Sequence, residues 1–180
     1  MSAAVLPATG PGPVFAEECT RYLRETYLPR LERAARTLPA ADLWWRPHDE
    51  CTSVGNLLLH LEGNLRQWIV SGLGGSPDRR ERAAEFAARD GTDVDTLLAR
   101  LRATVGEACE VINALPAAGW ASRVSIQGLE TTVLGAVLHV VEHFSWHTGQ
   151  VTWIAKLRAG KGRQLAFYDD EALNQAQNAE

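Results

Sequence analysis

An apolar repeat of seven residues between positions 94 and 115 restricts the fold of this chain more than any other pattern in it. Two interleaved sets of apolar residues follow this step, and they are Val94, Leu101, Ala108 and Leu115, with Leu98, Val105 and Ile112. Such a double seam is typical of a helix that packs in a bundle, whereas a half-buried strand would alternate at every second residue. The segment is therefore predicted to be one long amphipathic helix.

Three further segments show helical periodicity. The first covers residues 15–38 and contains Pro29, which is expected to kink or divide the helix because proline lacks a backbone N–H. The second covers residues 53–72, with Ser53 as its N-cap. The last covers residues 131–159 and is the fourth helical segment in chain order, and the glycines that follow it end the helix.

These segments predict an all-α protein, a four-helix bundle with long connecting loops, since almost no stretch of the chain alternates as a strand does. The length of 180 residues fits a single domain. We expect a flexible N-terminal tail at residues 1–13, the bundle at residues 14–162 and a C-terminal extension at residues 163–180. A short helix is expected within residues 80–88, and the connection at residues 116–128 is expected to be irregular.

Composition and charge exclude several classes of function. Lys plus Arg number 18 against 22 Asp plus Glu, a net charge of −4, so no basic field is available to hold a nucleic-acid backbone. No apolar run reaches the length of about 18 residues that a membrane span requires. The N-terminal stretch resembles neither a signal peptide nor an anchor. Three widely spaced cysteines argue against a disulfide framework or a thiolate zinc site, and they favour a reducing cytoplasm.

The histidines carry the most specific chemistry in the sequence. His139, His143 and His147 follow one another at steps of four in the fourth helical segment. Residues at this step are displaced by only ~40° around the helix and ~6 Å along it. Neighbouring imidazoles at that spacing can bind one metal ion together.

His143 and His147 also continue the apolar seams of their helix, where unpaired polar groups cost roughly 1–3 kcal/mol to bury. A metal would give both of them a partner, and so would hydrogen bonds within the core. A metal site needs a third ligand, for which His60 on the second helix is the candidate, although its position lies at the border of the apolar face. Glu62 and Glu142 are possible carboxylate ligands that point farther from the seam. We favour a set of three nitrogens, which leaves coordination positions open.

Three motifs occur together in one order along the chain. They are Trp45-Arg46-Pro47, the stretch from Ser53-Val54 to His60-Leu61-Glu62-Gly63-Asn64-Leu65-Arg66-Gln67-Trp68, and His143-Phe144-Ser145-Trp146-His147-Thr148-Gly149-Gln150. With them, residues 15–160 resemble the DinB/YfiT-like superfamily of four-helix-bundle metalloproteins, in a branch of unknown function. One histidine on the second helix, and HxxxH on the fourth with a Gly-Gln step after it, carry the resemblance.

The resemblance implies both a site and a chemistry. The three metal ligands of the family fall on His60, His143 and His147, while His139 falls outside this triad. The ion is a divalent metal, zinc first, with nickel, iron, manganese or copper as alternatives. Family members include transferases that activate a low-molecular-weight thiol of the bacillithiol or mycothiol type for attack on an electrophile. Relatives commonly form dimers, so a homodimer is expected, with a small-molecule substrate as the other partner.

Several polar residues are candidates for further roles. Asn64 lies one helical turn after the histidine of the second helix and Gln150 lies three residues after the HxxxH motif, so each can orient a ligand or close a hydrogen bond in the core. Arg46 and Arg66 can hold the carboxylate of a thiol, or serve as surface or capping residues.

The loop before the second helix and the tryptophans complete the candidates. His48 can act as an acid or base above the site, or remain a solvated loop residue. Cys51 can be activated by the helix N-terminus, but in the thiol-transferase interpretation the nucleophile belongs to the co-substrate. Part of the excess of six tryptophans is expected to line a pocket over the metal, and the rest to pack in the core.

Three functions of different classes are therefore considered. The first is a metal-dependent thiol transferase. The second is a metal-binding or ligand-binding stress-response protein without turnover. The third is a structural bundle that dimerises through a helix face, which requires the histidines to be free of metal.

Overall fold

The computed structural model describes residues 11–160 and 165–167. The expected tail at residues 1–13 and the expected extension at residues 163–180 lie for the most part outside the described residues, and both stay predictions. The first described helix begins at Pro11.

The described residues form six α-helices and one short hairpin. In chain order the elements are α1 (Pro11–Arg21), a π-helical segment (Tyr22–Tyr27), α2 (Leu28–Thr37), a 3₁₀ turn (Ala40–Asp42), α3 (Val54–Leu65), a second π-helical segment (Arg66–Ser71), α4 (Arg82–Ala87), α5 (Val94–Ala114), β1 (Arg123–Ile126), β2 (Leu129–Thr132) and α6 (Val133–Ala159). The predicted all-α bundle is confirmed: α1 with α2, then α3, α5 and α6 are its long helices. Helix α3 lies inside the bundle, packed against α4, α5 and α6.

The first long helix changes its winding just before Pro29. The π-helical segment Tyr22–Tyr27 ends two residues earlier, and the proline falls in the first turn of α2. A proline there removes one helical hydrogen bond and crowds the carbonyl four residues back, while the wider π turn relieves this crowding. The expected division is therefore present as a change of helix type within a continuous helical segment.

The local stop and start signals of the other helices act as predicted. Ser53 caps α3: its side chain accepts a hydrogen bond from the backbone N–H of Asn56, and the side-chain oxygen of Asn56 accepts one from the backbone N–H of Ser53. Helix α6 ends at Gly160, which takes a positive φ of 78°. The short helix expected within residues 80–88 is α4. No helix among the described residues is both long and apolar enough to cross a membrane.

The hairpin of β1 and β2 begins in the connection expected to be irregular and extends beyond it to Thr132, so α6 begins at Val133, two residues after the predicted start. The two strands pair antiparallel through a turn at Gln127 and Gly128, whose φ angles are 56° and 75°. Two successive positive φ angles are typical of a type I′ turn, which matches the twist of paired strands. Each strand has four residues with little alternation of burial, so the sequence carried too weak a periodicity to predict it.

One of the two seven-residue seams predicted for α6 leaves the core. In the first seam Val133, Val140 and Ile154 are buried and His147 is half-buried, as predicted. In the second seam Ala136 is buried and His143 half-buried, but Gln150 and Leu157 are exposed. A straight helix has 3.6 residues per turn and drifts by ~20° per heptad from a strict repeat. The second seam therefore rotates out of the core, and the HxxxH histidines lie at its edge.

Candidate metal centre

Three imidazoles from two helices meet at one point of the bundle. The Nε2 atom of His143 lies 3.0 Å from Nε2 of His60 and 3.1 Å from Nε2 of His147. His60 comes from α3 and is 6% exposed, while the two residues of α6 are half-buried. Within the described part of the chain these three side chains form a group whose ligand atoms all lie within 4.8 Å of one another. The sequence together with the resemblance predicted these three residues as metal ligands, and this role stays a prediction.

His60 is fixed from behind by a buried ion pair. Its Nδ1 lies 2.9 Å from Oε2 of Glu85, a residue of α4. Arg80 holds the same carboxylate with two donors, Nε at 2.7 Å and Nη2 at 2.9 Å. The side chains of Arg80 and Glu85 are 4% and 10% exposed. Such bidentate pairing fixes the orientation of the carboxylate as well as its charge.

A glycine makes room for this ion pair. A Cβ placed on Gly63 of α3 would lie 2.0 Å from Oε1 of Glu85 and 2.9 Å from Nε of Arg80. No side-chain atom can approach so closely, so any larger residue at position 63 would displace the carboxylate from His60.

The contacts of the outer nitrogens assign the protons of two imidazoles. Because the Glu85 carboxylate can only accept, we place the proton of His60 on Nδ1; Nη2 of Arg80 lies 3.0 Å from this atom and donates to Glu85 instead. Nδ1 of His147 donates in the same way to Oε1 of Gln150 at 2.6 Å. His60 and His147 therefore present the lone pairs of their Nε2 atoms to the centre.

The donor set fits a metal ion. With two lone pairs at the centre, Nε2 of His143 can donate its one proton to only one of them, so a metal-free cluster cannot satisfy all three nitrogens. The Nδ1 atom of His143 is buried and has no hydrogen-bond partner among the described residues. A divalent cation would satisfy all three Nε2 atoms at once, and three imidazoles are a common ligand set for zinc and for other transition metals.

The electrostatics of the site favour the neutral form of the two histidines on α6, His143 and His147. Burial lowers the pKa of His143 to about 3, and the proximity of His147 and His60 adds to this effect. Burial also lowers the pKa of His147, although its hydrogen bond to Gln150 opposes the shift. Burial raises the pKa of Glu85, but the hydrogen bonds and charges of Arg80 and His60 outweigh burial, so the pKa of this carboxyl is lowered. Neutral imidazole is the form that binds a metal.

These shifts predict that the metal-free protein is less stable at about pH 5 than at about pH 7.5. In the unfolded chain His143 regains its ordinary pKa of 6.5, so between pH 6.5 and about 3 the unfolded state binds the extra proton and stability falls as the pH falls. Urea unfolding of chelator-treated protein at the two pH values measures the loss, and His143→Gln should reduce it. Equal stability at both pH values would contradict the neutral cluster.

The fourth histidine of the region lies beside the triad. The ring of His139 packs at a tilt of 41° against the ring of Trp68, with 4.1 Å between ring centroids, and its Nε2 lies 3.4 Å from Nδ2 of the buried Asn64. Burial lowers the pKa of His139. Asn64 therefore contacts His139. Both residues lie next to the three converging nitrogens, and neither belongs to that group.

The other candidate ligands, and the two arginines that were candidates for holding the carboxylate of a thiol, lie away from the three converging nitrogens. Nη2 of Arg46 donates to Oδ1 of Asn56 and to the carbonyl of Ala88. Arg66 contacts Thr104 and Glu107 on α5. Among the carboxylates, Glu62 pairs with Arg100 at 2.9 Å, and Glu142 is exposed.

Sequence reasoning missed the carboxylate that matters most for the site. Glu85 lies in the stretch Ala83-Ala84-Glu85-Phe86-Ala87, and Phe86 also contacts the ring of His60, with 4.7 Å between centroids. A single charge inside a short apolar run was the available signal, because such a charge is seldom buried without a partner. The short helix α4 thus serves as the support of the third ligand.

A cavity of about 520 Å³ lies near the triad, although none of the three histidines lines it. Trp45, Trp146 and Trp153 line it, and so does Gln150, the residue that holds His147. Cys51 also lies on its wall, with Sγ 3.2 Å from Nε2 of His48 on the same loop. Three of the six tryptophans thus line one cavity, while the expected pocket over the metal itself stays a prediction.

The remaining tryptophans pack in the protein or close loops. Trp44 lies against Gly55 and donates to the carbonyl of Thr92 at 3.2 Å. Trp120 is buried and meets the edge of Phe15. Trp68 packs against the ring of His139.

The bundle and the three converging histidines define a helical protein with a candidate metal centre between its second and fourth long helices. The sequence profile of the DinB superfamily matches residues 23–151. This match covers most of the chain, so the protein belongs to the DinB superfamily, and the resemblance noted in the sequence is confirmed. No curated protein matches the chain.

Proposed function

We propose that this protein binds one divalent metal ion through His60, His143 and His147 and acts as a metal-dependent transferase. Its co-substrate would be a low-molecular-weight thiol of the bacillithiol or mycothiol type, which attacks an electrophile. The observation that supports the proposal is the convergence of three Nε2 atoms near a cavity of about 520 Å³. Three protein ligands leave coordination positions open, which distinguishes catalytic metal sites from closed structural ones.

When bound, a divalent metal would supply Lewis acidity that lowers the pKa of a thiol. The chain itself would orient and shield the reactants. Glu85 and Arg80 hold His60, and Gln150 holds His147, so both rings are aligned before any ligand arrives. The tryptophans of the cavity would exclude water from the electrophile. In the transfer, the thiol loses its proton to solvent, its sulfur forms a bond to the electrophilic carbon, and the leaving group departs with the electron pair.

Zinc is the first choice for the metal, since three imidazoles suit its tetrahedral preference. Nickel, iron, manganese and copper accept the same ligands, and occupancy in a cell depends on availability as well as on affinity. A reducing cytoplasm is the proposed location, in line with three free cysteines at positions 19, 51 and 109.

A conjugation assay tests this function. Tag-free protein, loaded separately with each metal, would be mixed with monochlorobimane and bacillithiol, mycothiol or glutathione. We expect turnover with at least one thiol, lost on chelation and lost in His147→Ala, while His139→Ala keeps it. Absence of metal-dependent turnover with every thiol and every metal would contradict the transferase and leave the non-catalytic metal-binding protein of the stress-response class.

The structural alternative shares one element with the proposal, a homodimer. Helix α6 exposes Leu134 by 38% and Leu138 by 49%, which lie one turn apart on the same face, and contiguous exposed apolar residues often mark an interface. We propose that α6 contributes to a dimer interface. Sedimentation at micromolar concentration should give the mass of two chains, and a monomer there would contradict it. A dimer without stoichiometric metal would favour the structural bundle.

A further inference from the structure

Two of the indoles that line the cavity near the triad are not packed in the core. Trp146 and Trp153 are each 64% exposed, although both lie on the cavity wall. Gly149 lies between them on the same helix, and a Cβ there would meet no atom within 4 Å. The helix surface at Gly149 is therefore open. A volume of about 520 Å³ falls within the range of small-molecule sites.

The wall of the cavity carries a negative charge. Among the described residues that line the cavity, Glu50 is the only one that is charged. Two arginines lie near the cavity without lining it. Arg158 pairs with Asp42 at 2.7 Å and packs against the ring of Trp45, and Arg46 donates to Asn56 and to a backbone carbonyl. An anion that entered the cavity would therefore lose hydration without meeting a cationic side chain among the described lining residues.

Indole faces attract cations, because the face of the ring carries the negative part of its quadrupole. The protein already uses one of these rings in this way, since the guanidinium of Arg158 lies 4.4 Å from the ring centroid of Trp45. A cation with an apolar body would contact the indoles through that body and through its charge, and Glu50 would add an opposite charge at the exposed rim.

We propose that this cavity binds a small organic cation of the substituted-ammonium type with an apolar body. It prefers that cation to a neutral compound of the same shape and rejects the corresponding anion. The inference deepens the proposed function, on which it rests only in naming this cation as the class of the electrophile that the thiol attacks. The binding itself requires neither the metal nor turnover.

The test is calorimetric titration of the metal-free and the zinc-loaded protein with three probes of similar shape. The probes are benzyltrimethylammonium, its neutral carbon isostere neopentylbenzene, and the anion benzylsulfonate. We expect the cation to bind about tenfold more tightly than the isostere, as cation–π attraction plus a partly exposed carboxylate allows, with the anion weakest. Equal affinities for cation and isostere, or measurable preference for the anion, would overturn the proposal.

Two matched variants locate the effect. Glu50→Gln should reduce the preference for the cation several-fold and leave the affinity of neopentylbenzene unchanged. Asp49→Asn removes the same charge from the neighbouring exposed residue, which does not line the cavity, and it should change neither affinity. Trp146→Leu should weaken the cation more than the isostere. Loss of preference in Asp49→Asn, or its full retention in Glu50→Gln, would contradict the assignment.

The titration and the conjugation assay fail independently. If the ranking of probes holds while no thiol is conjugated, the cavity is the binding site of a non-catalytic protein. If turnover is found and the ranking is absent, the transferase stands and the class of the electrophile is wrong.

Discussion

His143→Ala abolishes tight binding of a divalent metal, and His60→Ala and His147→Ala weaken it to a similar degree. His143 stands between the other two, at 3.0 and 3.1 Å from their nitrogens, so its removal leaves the remaining pair without a shared centre. Loss of an outer partner of a ligand already costs about 10–100-fold in metal affinity, and loss of a ligand itself should exceed about 100-fold. Competition with a chromophoric chelator, using tag-free protein, measures the affinity.

His139→Ala is the matched control for these variants. It removes an imidazole from the same helix, one turn before His143, and from a half-buried environment. Its metal affinity should stay close to that of the unchanged protein. Circular dichroism shows whether each variant is folded, and His143→Gln provides a second variant of similar volume. Retention of tight binding in folded His143→Ala and His143→Gln, or an equal loss in His139→Ala, would contradict the triad.

Glu85→Ala destabilises the protein by about 3–5 kcal/mol, the usual cost of leaving one partner of a buried ion pair without the other. The variant leaves the guanidinium of Arg80, whose side chain is 4% exposed, without its carboxylate, and it removes the acceptor for His60. Urea unfolding of metal-free protein gives the change. Glu107→Ala breaks the exposed pair with Arg66 and should cost no more than about 1 kcal/mol.

A double variant separates the two roles of this ion pair. Arg80→Met with Glu85→Leu removes both charges and should recover most of the stability, because apolar residues of similar volume often replace a buried ion pair without loss. Its metal affinity should still fall by about 10–100-fold, since His60 loses its orienting partner. A loss below about 1 kcal/mol in Glu85→Ala would show that the pair is less buried than described. Unchanged metal affinity in the double variant would remove Glu85 from the site.

The sequence predicted those parts of the fold and site that depend on one helix at a time. The caps at Ser53 and Gly160, the long helix α5 and the neighbouring positions of His143 and His147 all follow from local spacing. His60 needed the resemblance as well, because its place at the border of an apolar face did not decide whether it faced α6.

The rest depends on contacts between distant segments. The ion pair of Arg80 and Glu85 reaches His60 only because Gly63 lets α4 approach α3, and nothing in the local pattern specifies that approach. The hairpin was missed since its strands are short, and the second predicted seam of α6 ends outside the core because a strict heptad ignores helical drift. Arg46 illustrates the same limit: the sequence shows an arginine beside the motif but not the carbonyl of Ala88 that it binds.

X-ray absorption at the zinc edge of zinc-loaded, tag-free protein tests the central claim most directly. Imidazole rings give a characteristic multiple-scattering pattern, and nitrogen and sulfur ligands differ in distance by about 0.2–0.3 Å. The account predicts three imidazole ligands, in line with the three converging histidines, with light atoms in any further position and no sulfur. A spectrum with a sulfur ligand, or with fewer than three imidazoles, would contradict it.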